Sequence, residues 1–222
     1  MRLFEVCTGC LQSVEAAVRG GAQRIELCAA LPLDGLTPSM GTLQTVRHLY
    51  PSLTVHVLIR PREGNFVYSE EEVQSMENDI RAMLPLADGF VLGSLTPNGD
   101  IDTAAMRRLI EAANGHPITF HRAFDCCRDP FEALEQIIAL GCRRILTSGQ
   151  QPTAEQGLHL LRQLCQQSQD RIIIMPGGGV NEKNVRLIAD QTQAAEIHGS
   201  ASGGTSFTNP ETVRNIIRLL DK

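Results

Sequence analysis

Two short stretches share a spacing that could do chemistry. Phe4-Glu5-Val6-Cys7 and Ile25-Glu26-Leu27-Cys28 each place a carboxylate and a thiol two residues apart. Side chains alternate along a strand, so in either stretch the Glu and Cys share one face and the apolar residues share the other. A third stretch, Pro117-Ile-Thr-Phe-His121, puts Ile118 and Phe120 on one face and Thr119 and His121 on the other, then runs into Arg122 and Asp125. Carboxylates and an imidazole are the groups that move protons in general acid and base catalysis, and guanidinium groups orient anions. Glu5, Glu26 and His121 are therefore candidate acid or base groups, and Arg60, Arg122 and His198 candidate binders of a polar ligand. The blander alternatives are a hydrogen-bonded core histidine and structural ion pairs.

These residues need elements to hold them, and the chain supplies one rhythm of strand, loop and helix. Strands are expected at Leu3 to Cys7, Arg24 to Cys28, Thr54 to Arg60, Phe90 to Leu92, Pro117 to His121, Arg144 to Thr147, Arg171 to Met175 and Ala195 to His198. Helical stripes run between them. One carries Leu11, Val14 and Val18 and stops at Gly20-Gly21; another carries Val73, Met76, Ile80 and Met83 behind Ser69-Glu-Glu-Glu, an N-cap with acidic residues suited to the helix dipole. Further helices are opened by Thr37-Pro38, Asp102, Asp129-Pro130, Asn181 and Asn209-Pro210.

Eight such units in 222 residues average about 28 residues each, the size of right-handed βαβ crossovers with few insertions. The economical closure is an α/β fold, a single (β/α)8 TIM-type barrel over residues 1–222. An open doubly wound sheet is the alternative, but its usual glycine-rich turn after the first strand is replaced here by Cys7-Thr-Gly-Cys10. In a barrel the aliphatic faces meet the helices. Glu5, Cys7, Glu26, Cys28, His56, Arg60, His121, Glu196 and His198 then face the interior, and Glu5, Glu26, Arg60, His121 and His198 are expected to cluster at its carboxyl end. Pro176-Gly177-Gly178-Gly179 and the Gly199 to Gly204 loop offer small residues where barrels often hold phosphate through backbone amides, which adds Gly177, Gly178 and Gly179 to the ligand candidates.

Composition narrows the partners. With 42% hydrophobic and 20% charged residues the chain reads as an ordinary globular protein with one large core. A net charge of −5 argues against general affinity for nucleic acid or an anionic membrane surface, and favours a small molecule or an ion. No apolar run approaches a membrane span, and Glu5 interrupts the place of a signal peptide's apolar stretch, so a cytosolic protein is expected. Seven cysteines in a chain of this length read as reduced thiols, whether packed, reactive or metal-binding.

Phe4-Glu5-Val6-Cys7, Arg24-Ile25-Glu26-Leu27-Cys28, Gly35-Leu36-Thr37-Pro38-Ser39, Ile59-Arg60-Pro61-Arg62, Thr119-Phe120-His121-Arg122-Ala123-Phe124-Asp125, Ile145-Leu146-Thr147-Ser148-Gly149 and the Pro176 to Gly179 loop together closely resemble the copper homeostasis protein family CutC. The motifs run in order from the first strand almost to the last; Glu63 and Asn65 depart from the family pattern. The resemblance implies a TIM-type barrel, a cytoplasmic location, a tendency to form homo-oligomers, and Cu(I) binding through Cys7 and Cys28. Adjacent parallel strands place equivalent inward side chains about 5 Å apart, close enough for two thiolates to share a soft ion. Cys10 could supply a third sulfur. The competing readings are inert buried thiols, a redox pair at Cys7 and Cys10, and a barrel enzyme acting on a small polar, sugar-like or phosphorylated molecule by general acid and base chemistry.

Overall fold

The computed structural model describes residues 2–221. Eight parallel strands alternate with eight α-helices, and the strands are ordered β7-β6-β5-β4-β3-β2-β1-β8. They are β1 (Leu3–Thr8), β2 (Arg24–Leu27), β3 (Thr54–Leu58), β4 (Gly89–Leu92), β5 (Ile118–Phe120), β6 (Arg144–Thr147), β7 (Ile173–Pro176) and β8 (Glu196–Gly199). Strand β7 packs beside β8, so the sheet curls into a nearly closed (β/α)8 barrel. The helices are α1 (Leu11–Gly20), α2 (Met40–Leu49), α3 (Glu70–Met83), α4 (Thr103–Ala112), α5 (Pro130–Ala139), α6 (Leu158–Ser168), α7 (Val185–Thr192) and α8 (Pro210–Leu220). None of them is long and apolar enough to cross a membrane.

Alternation along the strands divides the molecule into two environments. Val6, Ile25, Leu27, Val55, Val57, Phe90 and Ile145 point outward and join helix residues such as Val14, Leu43, Met76 and Ile80 in one large core. The opposite faces carry the polar residues inward, with a small apolar cluster of Cys7, Cys28, Leu58 and Val91 among them. The register sets these side chains opposite one another: Glu5 lies across from Arg24 and from His198, and Glu26 across from Cys7 and from His56.

Caps fix where most helices start. Ser69 accepts from Glu72 N while the Glu72 carboxylate accepts from Ser69 N, a reciprocal capping box. Asp129 accepts from Phe131 N and Glu132 N ahead of Pro130. Several boundaries differ from those the sequence suggests, strand β3 for one ending at Leu58 and not at Arg60, and three have a visible cause. Helix α2 opens at Met40 behind Ser39, not at Thr37-Pro38, because the Thr37 hydroxyl bonds the backbone of Arg60 and pins the loop to the end of β3. Asn181 accepts from Lys183 N in a turn, and α7 begins only at Val185. Arg171 does not open β7; its amide closes the turn after α6 onto the Ser168 carbonyl, and the strand starts at Ile173.

Candidate functional site

The inward face of β1, β2, β3, β6 and β8 builds a layer of charge. Glu5, fully buried, receives Arg24 Nε at 2.6 Å and His56 Nδ1 at 3.0 Å on Oε2, and His198 Nδ1 at 2.9 Å on Oε1. Arg24 approaches at an angle away from the hydrogen-bond optimum, so attraction there is chiefly ionic. Arg24 also bonds Glu196, which Arg144 meets at 2.6 Å. Burial would raise the Glu5 pKa, but hydrogen bonds from His198 and His56 and the charge of Arg24 hold it well below the usual carboxylate range. His198 responds in the opposite sense: burial opposes its charge, yet Glu26 and Glu5 raise its pKa.

Above this layer, at the carboxyl ends of the strands, opens a cavity of about 500 Å³. Cys7, Glu26, Arg60, His121, Arg122 and His198 all reach its wall, with Gly178 and Gly179 closing one side. Glu5 and Gly177 are not part of that wall. The structure thus brings five of the candidate polar residues to one cavity and sets Glu5 beneath, where it holds His198. His121 Nδ1 accepts from Ala123 N at 3.2 Å, which assigns the proton to Nε2, and Nε2 has no protein partner. Burial, reinforced by the nearby charge of Arg60, lowers the His121 pKa to about 3, so the ring is neutral and carries an unpartnered Nε2–H. Room for that ring comes from Gly93, where a Cβ would stand 2.7 Å from His121 Nδ1.

Arg60 is committed on its outer nitrogens, which donate to the carbonyls of Leu33, Gly35 and Gly64; its Nε is free of protein partners. The guanidinium lies 5.1 Å from the Phe66 ring centroid. Arg122 donates to Asp125 at 2.8 Å and to Ser148 at 3.0 Å. Asp125 in turn accepts from Ser148 N and Gln150 N, so one carboxylate ties the loop after β5 to the loop after β6.

The thiols sit together on the β1 and β2 side of the barrel, with Cys7 on the cavity wall. Cys7 Sγ lies 3.9 Å from Cys28 Sγ and 3.5 Å from Glu26 Oε1. The hydrogen bond with Cys28, then burial, then the charge of Glu26 push the Cys7 pKa well above its ordinary value. Burial also raises the pKa of Glu26, outweighing the attraction of His198. Cys28 turns toward a second cavity of about 470 Å³, whose wall includes Cys10; the Cys10 thiol rests on the Ser13 hydroxyl at 3.5 Å. All seven cysteines are unbridged.

Sequence reasoning missed the partners more than the principals. Arg24 and Arg144 open their strands on the inward face, and the same two-residue alternation that found Glu26 would have found them. Ser148 and Phe66 lie in loops, where no periodicity marks them.

The comparisons with known proteins agree with this fold. The model of the CutC family matches residues 2–203. A CutC family protein of Bacteroides thetaiotaomicron is 54% identical over 199 residues, which are 89% of this chain and 80% of that one. The human copper homeostasis protein cutC homolog is 45% identical over 212 residues, 93% of this chain and 77% of its own. The crystal structure of CutC from Streptococcus agalactiae superimposes with a TM-score of 0.86 at 36% identity, covering 90% of this chain and 99% of that one. By fold, by sequence and by the order of its strand-end motifs, this chain belongs to the CutC family.

Proposed function

We propose that this chain serves copper homeostasis by holding one Cu(I) between the thiolates of Cys7 and Cys28. The observation that carries the reading is the buried thiol pair, 3.9 Å from sulfur to sulfur. An ion about 2.3 Å from each sulfur, an ordinary metal–thiolate bond, spans that gap at a bent angle of about 115°. Soft sulfur ligands in a dry setting suit Cu(I). Copper is here the cargo. Loading it must displace the thiol protons, and the raised pKa of Cys7 makes binding tighten as pH rises. The names of the human and mouse relatives support the copper assignment. A cytosolic setting, whose reducing conditions keep unbridged thiols available, and self-association into a homo-oligomer go with the reading. Anaerobic Cu(I) titration against a chelator tests it on the wild type and a Cys7→Ser/Cys28→Ser double variant. Equal affinity for both proteins removes these thiols as the site.

One observation favours a second reading, an enzyme acting on a small polar, sugar-like or phosphorylated molecule. His121 Nε2 and Glu26 Oε2 both lack protein partners, and both residues line the same cavity. In that reading Glu26 exchanges the proton, neutral His121 donates a hydrogen bond to the substrate oxygen, and Arg122 with Gly178 and Gly179 surrounds the anionic end.

A further inference from the structure

We propose that Cys7, Glu26 and His198 form a three-ligand site for a divalent cation of the zinc class, with its open coordination position facing the barrel-mouth cavity. The inference shares Cys7 with the copper reading but does not rest on it.

The first observation is an unmatched charge. Three glutamates point into the barrel, and Glu5 and Glu196 are each ion-paired with arginine. Glu26 is 5% exposed and, among the described residues, has no cationic partner within ion-pair distance. Its Oε1 meets only the Cys7 thiol at 3.5 Å, and its Oε2 meets nothing. A buried carboxylate so placed is costly until a cation joins it.

The second observation is geometric. One ligand atom from each of Cys7, Glu26 and His198 lies within 4.8 Å of the other two. Metal bonds of about 2.3 Å to sulfur and about 2.1 Å to oxygen, closing the 3.5 Å gap between Cys7 Sγ and Glu26 Oε1, subtend about 105°, close to tetrahedral. All three residues line the cavity, so a fourth position opens onto it, as in catalytic zinc sites and unlike closed structural ones.

The third is the support behind the histidine. His198 Nδ1 is engaged by Glu5 at 2.9 Å, which leaves Nε2 as the ligating nitrogen, and Glu5 is itself held by Arg24. A carboxylate behind a histidine is the usual device for orienting a metal-bound imidazole. Charge completes the argument: one thiolate and one carboxylate neutralise a divalent ion, whereas Cu(I) between two thiolates leaves a buried negative charge. The cation's open position, His121 with its unpartnered Nε2–H, and Arg122 then belong to one cavity, which suits a small oxyanion or hydroxy acid as the outer ligand.

Titration of the reduced full chain with Co²⁺ alone tests the site, with Zn²⁺ added to displace it. The expected spectrum combines tetrahedral visible bands with a sulfur-to-cobalt charge-transfer band, in the wild type and equally in Cys28→Ser. Cys7→Ser loses the charge-transfer band. Glu26→Gln, isosteric and outside the ion-pair layer, weakens Co²⁺ by more than about tenfold, the least that even an outer-sphere partner costs. Its fold is checked by circular dichroism, and Glu26→Asp, which retracts the carboxylate by one methylene, provides the second variant with the same expected weakening. Absence of Co²⁺ binding, binding without the sulfur band, or full affinity in both Glu26 variants overturns the proposal. Loss of Co²⁺ in Cys28→Ser also overturns it, whereas Cu(I) affinity surviving in Cys7→Ser/Cys28→Ser overturns only the copper reading.

Discussion

Replacing Glu5 with Gln removes one negative charge from the layer beneath the cavity while keeping the side chain's shape, so no cavity term enters. The wild-type carboxylate is fully buried and faces Arg24 at 2.6 Å, His198 at 2.9 Å and His56 at 3.0 Å. At an effective dielectric of about 20, a unit pair with charges about 4 Å apart is worth about 4 kcal/mol. In the variant Arg24 still has Glu196, but Glu196 then serves both Arg24 and Arg144, leaving two guanidinium groups on one carboxylate. Removing one partner of a buried pair generally costs about 3–5 kcal/mol. Glu5→Gln is expected to lose that amount, a large share of the about 5–15 kcal/mol that holds a typical domain. Urea unfolding followed by circular dichroism reads it as a lower midpoint at unchanged slope. A loss below about 1 kcal/mol, the worth of an exposed ion pair, would refute the argument that this layer is a desolvated network in which each charge depends on the others.

The His121 ring should leave a signature in the pH dependence of stability. Its folded pKa is depressed from 6.5 to about 3, so its contribution is present above about pH 6.5 and lost as pH falls toward 3. At most about 5 kcal/mol is at stake over that span. Glu5, also depressed, acts in the same direction but below its unfolded value of about 4.3, whereas His198 and Glu26, both raised, act in the opposite direction, so the difference between wild type and His121→Asn from about pH 6.5 to 5 is what isolates the ring. Over that interval the stability of His121→Asn should fall less steeply than that of the wild type, by up to one proton's slope; parallel curves would exclude a neutral buried ring. Gly157→Ala is expected to destabilise by about 3 kcal/mol, the upper end for overpacking, because the new Cβ would stand 1.8 Å from the Ser148 carbonyl oxygen and displace the backbone that Asp125 grips. Thermal unfolding reads this, and an unchanged midpoint would show that the loop yields freely.

The barrel was legible in the sequence because its signals are local. Val55-His56-Val57 alternates apolar and polar residues, Ser69 to Glu72 and Asp129-Pro130 announce helix starts, and eight such units in order leave little choice of architecture. The same alternation by itself turns Glu5, Cys7, Glu26, Cys28 and His198 inward. It could not say how far along the barrel axis each would sit, since that depends on the stagger between neighbouring strands.

Tertiary structure alone decided the division of labour. Glu5 and Glu26 occupy equivalent places in two matching motifs, yet β1 is flanked by Arg24 and His198 at the level of Glu5, while Glu26 faces Cys7 and the cavity with no arginine or lysine in ion-pair contact among the described residues. One carboxylate is therefore held ionised inside a network, and the other has its pKa raised and an oxygen unpaired. Residue type and strand periodicity determine which face a group takes. Its charge, partners and access to a ligand follow from what the other strands bring to the same level, often from more than a hundred residues away, as Glu196 and His198 are brought to Arg24 and Glu5.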